Sequence, residues 1–485
     1  DPQIADSNSE KLVAANCYEG LVRIMADGTI GKGVATDWNI SDDGLTYTFK
    51  LRNNSHWAMF SGHKAVLGEN YEDTFDITVK AEDFKFGIER TLSEQTGSAD
   101  APLFSAVKSI STPDDFTIVF NLSYADDNFL YALTNPGAMP CDEEFFNLTN
   151  GKYGLDAKYL LCNGPFHVSK WTEKTSVKLA KNNEYNGESS VSPSSVTFYI
   201  NNDDSEVADK MNSVTYDVAF LSSSQFSSIE NKKDLNSVAV QNVTYSFIFN
   251  QNDNNYRNKN MRLAFCRSCD TSSLFDSQSD ISKADGIVPP SCKIGGEDYR
   301  NGNAAELLSY DETLAKKNFN DALLDLGSSS VETTILCTEQ YEPFVKQMVQ
   351  KLQKTLGVKF VSTVKVVSES DLEAAVNDDN YSVAFYPFKA KSSFAGEIIE
   401  VFDQNNIFGY ESDVLSQKIR NIKNNSGSLE GERSAVADAE NYLVSEAVIM
   451  PVFYENSYFV TSKKTSGIYF YSSADNVCFI NAKKS

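Results

Sequence analysis

The chain has 485 residues, 41% hydrophobic and 12% aromatic, enough to build two or three lobes with separate cores. Its 67 acidic and 43 basic residues give a formal net charge of -24, which excludes the counterion displacement that drives nucleic-acid binding. No apolar run approaches the length needed to span a bilayer.

Asp1–Lys11 is polar and carries no basic-then-apolar export signal, so any such signal is expected outside this sequence. Leu12–Met25 reads as a helix followed by a strand, closed by a turn at Ala26-Asp27-Gly28-Thr29. Asp43-Gly44 is a tight-turn signal. After it, Leu45, Tyr47, Phe49 and Leu51 alternate with Thr46, Thr48, Lys50 and Arg52, the period of a strand with one buried face. Ala35, Trp38 and Ile40 lead into the turn, so a hairpin is predicted, with Trp38 and Trp57 as apolar anchors at its ends. Ala81–Leu92 repeats Phe84, Ile88 and Leu92 every fourth residue, which predicts an amphipathic helix. Asp114-Asp115 between apolar runs predicts a second hairpin over Val107–Leu122. Asn128–Leu133 reads as a short helix and Pro136–Pro140 as a loop. Alternating strands are predicted at Phe166–Trp171 and Ser176–Ala180, then a strand at Val196–Ile200, a helix at Asp203–Asn212 and a buried strand at Tyr216–Leu221.

In the second half, Tyr245–Asn250 reads as a strand, Met261–Phe265 as part of a helical run, and Phe319–Leu326 as a helix stopped by Gly327. Glu332–Cys337 is a strand. Pro343–Leu356 is a helix with Phe344, Met348, Leu352 and Leu356 on one stripe, and Val358–Val367 is the next strand. Strand, helix and strand at this spacing predict a right-handed parallel unit. Tyr381–Phe388, Ile449–Tyr454 and Tyr458–Thr461 read as strands, and Asp438–Ser445 as a helix.

Chemistry-specific spacings are absent. There is no Gly-x-Ser-x-Gly elbow, no His-Glu-x-x-His and no Gly-x-x-x-x-Gly-Lys. His56, His63 and His167 have no recognisable partner, and no second cysteine pair falls at a zinc spacing, so neither a metal nor another cofactor is expected. Cys17, Cys141, Cys162 and Cys337 read as small core residues. Cys266 and Cys269 fall inside a helical run and are expected as buried thiols, not a redox pair.

Three blocks then resemble, in order, the family 5 extracellular solute-binding proteins, the peptide-capturing components of ABC importers. The first is Cys17-Tyr18-Glu19-Gly20-Leu21, the Trp38–Trp57 hairpin, Ala81-Glu82-Asp83-Phe84 and Arg90. The second is Cys162-Asn163-Gly164-Pro165-Phe166, two strands and Lys181-Asn182-Asn183-Glu184-Tyr185. The third is Tyr245–Asn250 followed by Met261-Arg262-Leu263-Ala264-Phe265, with Ala284–Pro290 after it.

The resemblance implies an α/β, periplasmic-binding-protein-like fold with two lobes, a hinge and a small extra lobe. Lobe I would comprise 1–45, 163–244 and 455–485, the small lobe 46–162, and the third lobe 245–454. It implies a non-enzymatic, monomeric receptor, extracellular or periplasmic and lipid-anchored, that closes on a peptide or other small solute and presents it to an ABC permease. A nickel chelate, an opine or an oligosaccharide are the alternative ligands, and a secreted hydrolase is the rival from another class.

The implied ligand contacts are main-chain edges: Glu19-Gly20-Leu21 and the strand that includes Ala384, Phe385, Tyr386 and Phe388. Tyr245, Phe247, Tyr386, Phe388, Tyr454 and Tyr458 lie on strands expected to border the ligand, although most such rings belong to cores. Family members often place an Asp after this strand to pair with a peptide's ammonium. Here Pro387 stands at or beside that position, and Lys389 and Lys391 follow. Free-amine peptides are therefore expected to bind weakly unless another acid substitutes, with Glu19 or an acid of the small lobe as the candidate. The two lysines are read either as solvated or as facing a ligand carboxylate or phosphate.

Overall fold

A computed structural model describes the chain apart from 26–28, 188–189, 201–203, 272–273, 276–279, 390–393, 404–405 and 472–475. The first three residues of the turn expected at Ala26-Asp27-Gly28-Thr29 lie outside the described residues. Two compact units emerge. The first comprises Asp1–Leu221, Gln225–Val238 and Phe459–Ser485, and the second Ser222–Ser224 and Ala239–Tyr458.

In the first unit, Ser7 and Glu10 form a capping box that opens the helix Asn8–Cys17. The predicted hairpin is present. Ala35–Ile40 pairs with Thr46–Leu51, Trp38 facing Phe49 and Ile40 facing Tyr47. Its turn needs a left-handed residue, supplied by Gly44 at φ +69, and Asp43 accepts the Leu45 N–H at 3.0 Å. The sheet runs Ala35–Ile40, Thr46–Leu51, Thr117–Leu122, Val107–Asp114, so the hairpin's second strand is internal. Tyr47, Phe49 and Leu51 are buried as the alternation requires, and Phe49 meets Phe120 edge-on at 5.8 Å. Of the two anchors, Trp57 is fully buried, whereas Trp38 is half-exposed and leans on Phe49. The helix Ala81–Leu92 forms as predicted and buries Phe84 and Ile88. Leu92, its last residue, is exposed, so the apolar stripe ends one turn early. Phe166–Thr172, Ser176–Lys181 and Ser195–Tyr199 make a separate three-stranded sheet.

His63 is buried in a short 3-10 turn over Ser61–His63. Its Nε2 lies 3.1 Å from the Leu160 carbonyl, an acceptor, so the proton sits on Nε2, and the Phe145 ring closes the site edge-on. Burial lowers its pKa to about 4, with nearby His167 acting the same way and the Leu160 carbonyl opposing. In the unfolded chain a histidine titrates near 6.5. Below that pH the unfolded state takes up a proton that the folded state refuses, so stability falls between about pH 6.5 and about 4. The loss is about 3 kcal/mol at most. Urea midpoints at pH 7 and pH 4.5 are expected to converge in His63→Gln relative to the parent. An unchanged acid sensitivity in the variant would assign the effect elsewhere.

In the second unit the strands Ile449–Ser462, Leu235–Phe249, Val383–Lys389, Val331–Thr338 and Phe360–Val367 lie side by side in that order, and Ile281–Lys283 pairs with the first. Val331–Thr338 and Phe360–Val367 are parallel, with the helix Glu342–Leu356 between them in sequence, as predicted. The buried stripe of that helix is Val345, Met348, Val349, Leu352 and Leu356. Phe344 sits at its margin instead of on it. Alternation along the sheet feeds two cores. Phe247, Phe385 and Phe453 enter one, and Ile248, Ala384 and Phe388 the other.

Several elements are longer than predicted or new, among them the helices Glu312–Leu326 and Leu429–Ser445, which start seven and nine residues before the expected Phe319 and Asp438. Leu235–Phe249 begins ten residues before Tyr245, and Ile449–Ser462 is one strand where two were expected. The helices Glu369–Asn377 and Asp413–Asn424 were not anticipated, although Ser368 and Ser412 cap them in the usual way. All eight cysteines are free thiols. Cys266 and Cys269 are buried as expected, at the end of the helix Lys259–Ser268 and at its cap, and burial pushes the Cys266 thiol up to about 12.

Candidate ligand-binding site

On the first unit, Glu19 is where separate sequence blocks meet. Its carboxylate is 5% exposed. Arg52, just past the hairpin, pairs with one oxygen, and the Tyr185 hydroxyl donates to the other at 3.1 Å. Asn163 holds the main chain from both sides. It accepts the Glu19 N–H at 3.0 Å and donates to the Glu19 carbonyl at 2.8 Å. The neighbouring carbonyls are also engaged: Gly20 accepts from the Val34 N–H at 2.9 Å and Leu21 from the Ala35 N–H at 3.0 Å. This approach is so close that a Cβ on Gly33 would overlap the Gly20 carbonyl, and one on Gly164 would come within 2.6 Å of the Cys17 carbonyl carbon. The Leu21 side chain is fully buried. Glu19 is thus already matched by a cation and a hydroxyl, and it is not a spare acid for a ligand ammonium.

On the second unit, the strand Val383–Lys389 pairs along its length with Leu235–Phe249, with Tyr245 opposite Pro387 and Phe247 opposite Phe385. Its other edge is different. Val331–Thr338 pairs only with Val383 and Ala384. Among the described residues, Phe385–Lys389 is therefore laddered on one side only. Proline is tolerated in a strand where the ladder needs no donor, and Pro387 sits within this open stretch.

The side chains divide clearly. Phe247, Ala384, Phe385 and Phe388 are core residues, each at most 5% exposed. Tyr245 and Tyr386 are half-buried and Lys389 is exposed. Lys391 lies outside the described residues. Tyr454 is 3% exposed, and its hydroxyl accepts the Asp285 N–H at 3.0 Å. That bond belongs to a clasp. One Glu440 oxygen accepts the Ile287 and Val288 N–H groups at 2.7 and 3.0 Å, and the other accepts the Tyr299 hydroxyl at 3.0 Å. Arg300 pairs with both oxygens and donates to the Val288 carbonyl at 2.8 Å. The Ala284–Pro290 segment is thereby fixed to the helix Leu429–Ser445.

One residue escaped the sequence reading. Glu455 is half-buried beside Tyr245 and Tyr341, accepting from the Tyr341 hydroxyl and from Gln340 Nε2. A single acid between two aromatic strand segments gives no spacing to detect.

The model for bacterial extracellular solute-binding proteins, family 5 Middle, matches residues 29–407. The chain belongs to family 5. Among its curated relatives, the dipeptide-binding protein DppE of Bacillus subtilis is 23% identical over 491 residues, covering 96% of this chain and 87% of that protein. The oligopeptide-binding protein OppA of the same organism is 23% identical over 493 residues, with the same coverages. Among solved structures, OppA of Listeria monocytogenes bound to peptide superposes with a TM-score of 0.77 at 21% identity, covering 100% of this chain and 96% of that one. A dipeptide-binding protein from Pseudoalteromonas sp. SM9913 in complex with Met-Leu gives 0.78 at 18%, covering 100% and 97%. At these identities the likeness establishes the fold, the α/β periplasmic-binding-protein-like arrangement expected from the sequence. Family 5 consists of extracellular solute-binding proteins, not enzymes. No helix among the described residues is long and apolar enough to cross a membrane.

Proposed function

We propose that this family 5 protein captures a peptide-like solute by lobe closure and delivers it to an ABC permease. The observation that carries this reading is the one-sided pairing of Phe385–Lys389. An extended peptide can add there as a further strand, through main-chain hydrogen bonds that demand no particular side chain. The side chains sort accordingly. Phe385 and Phe388 anchor the strand in the cores, while Tyr386 is half-buried and Lys389 exposed. Glu19-Gly20-Leu21, held by Asn163 and Arg52, is the proposed main-chain contact on the first unit. The names of the relatives, dipeptide- and oligopeptide-binding, support a peptide over a chelate, an opine or a sugar.

The same reading includes a three-lobed division at 46–162 and 245–454, a monomeric state, lipid anchoring and the absence of turnover. Its test is native mass spectrometry of the purified protein, first as isolated and then with a degenerate peptide library. One retained peptide per chain, released unchanged, is expected. A retained non-peptide, or cleavage products accumulating beyond one per chain, would overturn it.

A further inference from the structure

We propose that Cys17 and Cys162 are the two ends of a disulfide cross-link that locks the Glu19-Gly20-Leu21 turn to the segment clamping it. The two cysteines come from distant parts of the chain. Cys17 ends the helix Asn8–Cys17, and Cys162 precedes Asn163, whose side chain holds the Glu19 main chain from both sides. The fold presses these segments together. The Gly164 N–H donates to the Cys17 carbonyl at 2.9 Å, and a Cβ on Gly164 would overlap the Cys17 main chain. Both cysteines are buried, 0% and 1% exposed. Within that contact the Cys17 thiol donates to the Cys162 sulfur, which also accepts the Val168 N–H. A disulfide needs neighbouring backbones and side chains aimed at one another. The touching segments supply the first and the thiol–thiol bond the second. Other thiols are engaged differently: the Cys141 sulfur accepts from Arg90 at 3.6 Å, and Cys269 donates to the Met348 carbonyl at 3.5 Å.

The oxidant is a small-molecule disulfide, a class of reagent met outside the reducing cytosol, where family 5 proteins work. One cysteine thiolate attacks a sulfur of that reagent and releases one small thiol. The second cysteine attacks the resulting mixed disulfide and releases the other. Two protein thiols are thereby oxidised to one S–S bond, the reagent's S–S bond is reduced to two thiols, and the two protons pass to those thiols. Because both cysteines are buried in the folded chain, the exchange belongs to folding, before the segments close over them. The bridge encloses the whole stretch between residues 17 and 162, and a long enclosed loop restricts the unfolded chain strongly. In the folded chain it adds a covalent tie beside the Asn163 bonds. The proposal holds whichever solute is bound.

The test refolds the full chain in a glutathione buffer that contains both the disulfide and the thiol, then denatures it in iodoacetamide. Six labels per chain are expected, two fewer than its eight cysteines. Cys17 and Cys162 should be recovered unlabelled, as one linked peptide pair. This preparation is expected to melt about 5 °C or more above the fully reduced chain. In Cys17→Ala, Cys162 is expected to be labelled, and oxidised and reduced preparations to melt together. The parent comparison involves no substitution, so it decides the matter if the variant fails to fold. Eight labels on the parent, or a link that joins Cys162 to Cys141, overturns the assignment. Equal melting of the oxidised and reduced parent overturns the lock.

Discussion

Replacing Glu440 with alanine is expected to lower the unfolding free energy by about 3–5 kcal/mol, the usual cost of removing one partner from a buried ion pair. Glu440 is 1% exposed and the Arg300 side chain 9%. Alanine would leave the guanidinium buried without its counter-charge, and it would also strip acceptors from the Ile287 and Val288 N–H groups and the Tyr299 hydroxyl. Burial alone disfavours the Arg300 charge. Glu440 outweighs that and holds the guanidinium's pKa above its ordinary value. The double variant Glu440→Ala, Arg300→Met is expected to recover part of the loss, because no lone charge remains. Urea unfolding measures both. A loss below 1 kcal/mol in the single variant would mean that the segment Ala284–Pro290 is held by other contacts.

Arg52→Met is expected to cost about 3 kcal/mol and to weaken ligand binding as well. The pair it breaks is nearly dry: the Arg52 side chain is 13% exposed and that of Glu19 5%. Arg52 also donates to the Gly33 carbonyl at 2.6 Å, beside the glycine that must pass close to Gly20. Losing it releases the Glu19-Gly20-Leu21 turn from two directions. Glu19→Gln in the Met background should restore stability, since Tyr185 can still bond a neutral amide and Asn163 keeps its bonds to the main chain. Binding is expected to recover with it. If binding is indifferent to Arg52 while stability drops, the turn is a structural corner and not a ligand contact.

The local elements were largely legible because turn chemistry and period agree at each of them. Asp43-Gly44 fixes a hairpin, and the stripe Phe84 and Ile88 fixes a helix. Signals that the reading passed over were also present. Ser368-x-x-Asp371 and Ser412-x-x-Leu415 cap the helices Glu369–Asn377 and Asp413–Asn424. In Glu369–Asn377 only Leu372 and Val376 mark the buried face, whereas Asp413–Asn424 does carry a helical stripe, with Leu415, Ile419 and Ile422 buried at i, i+4 and i+7. The first ten residues of Leu235–Phe249 mix apolar and polar side chains without a period of two, and Asn236–Ala239 are exposed in succession, so no alternation marked them as strand. The candidate site was legible in its backbone and not in its side chains. Arg52 and Tyr185 reach Glu19 across 33 and 166 residues, a convergence that only the folded chain provides. Glu455 needs Tyr341, 114 residues earlier, before it means anything.

The open stretch Phe385–Lys389 has a second consequence. A strand that can accept a peptide's backbone can equally accept the backbone of another copy of itself, and exposed edges of this kind seed self-association and fibrils. Two residues blunt that hazard. Pro387 interrupts the row of donors, so a long uniform ladder cannot propagate through it. Lys389, exposed at the end of the strand, would bring like charges together when identical edges meet. A short ligand pays neither penalty in full, since it needs only a few bonds and carries its own charges. The proline thus also makes the edge selective for brief guests over endless ones.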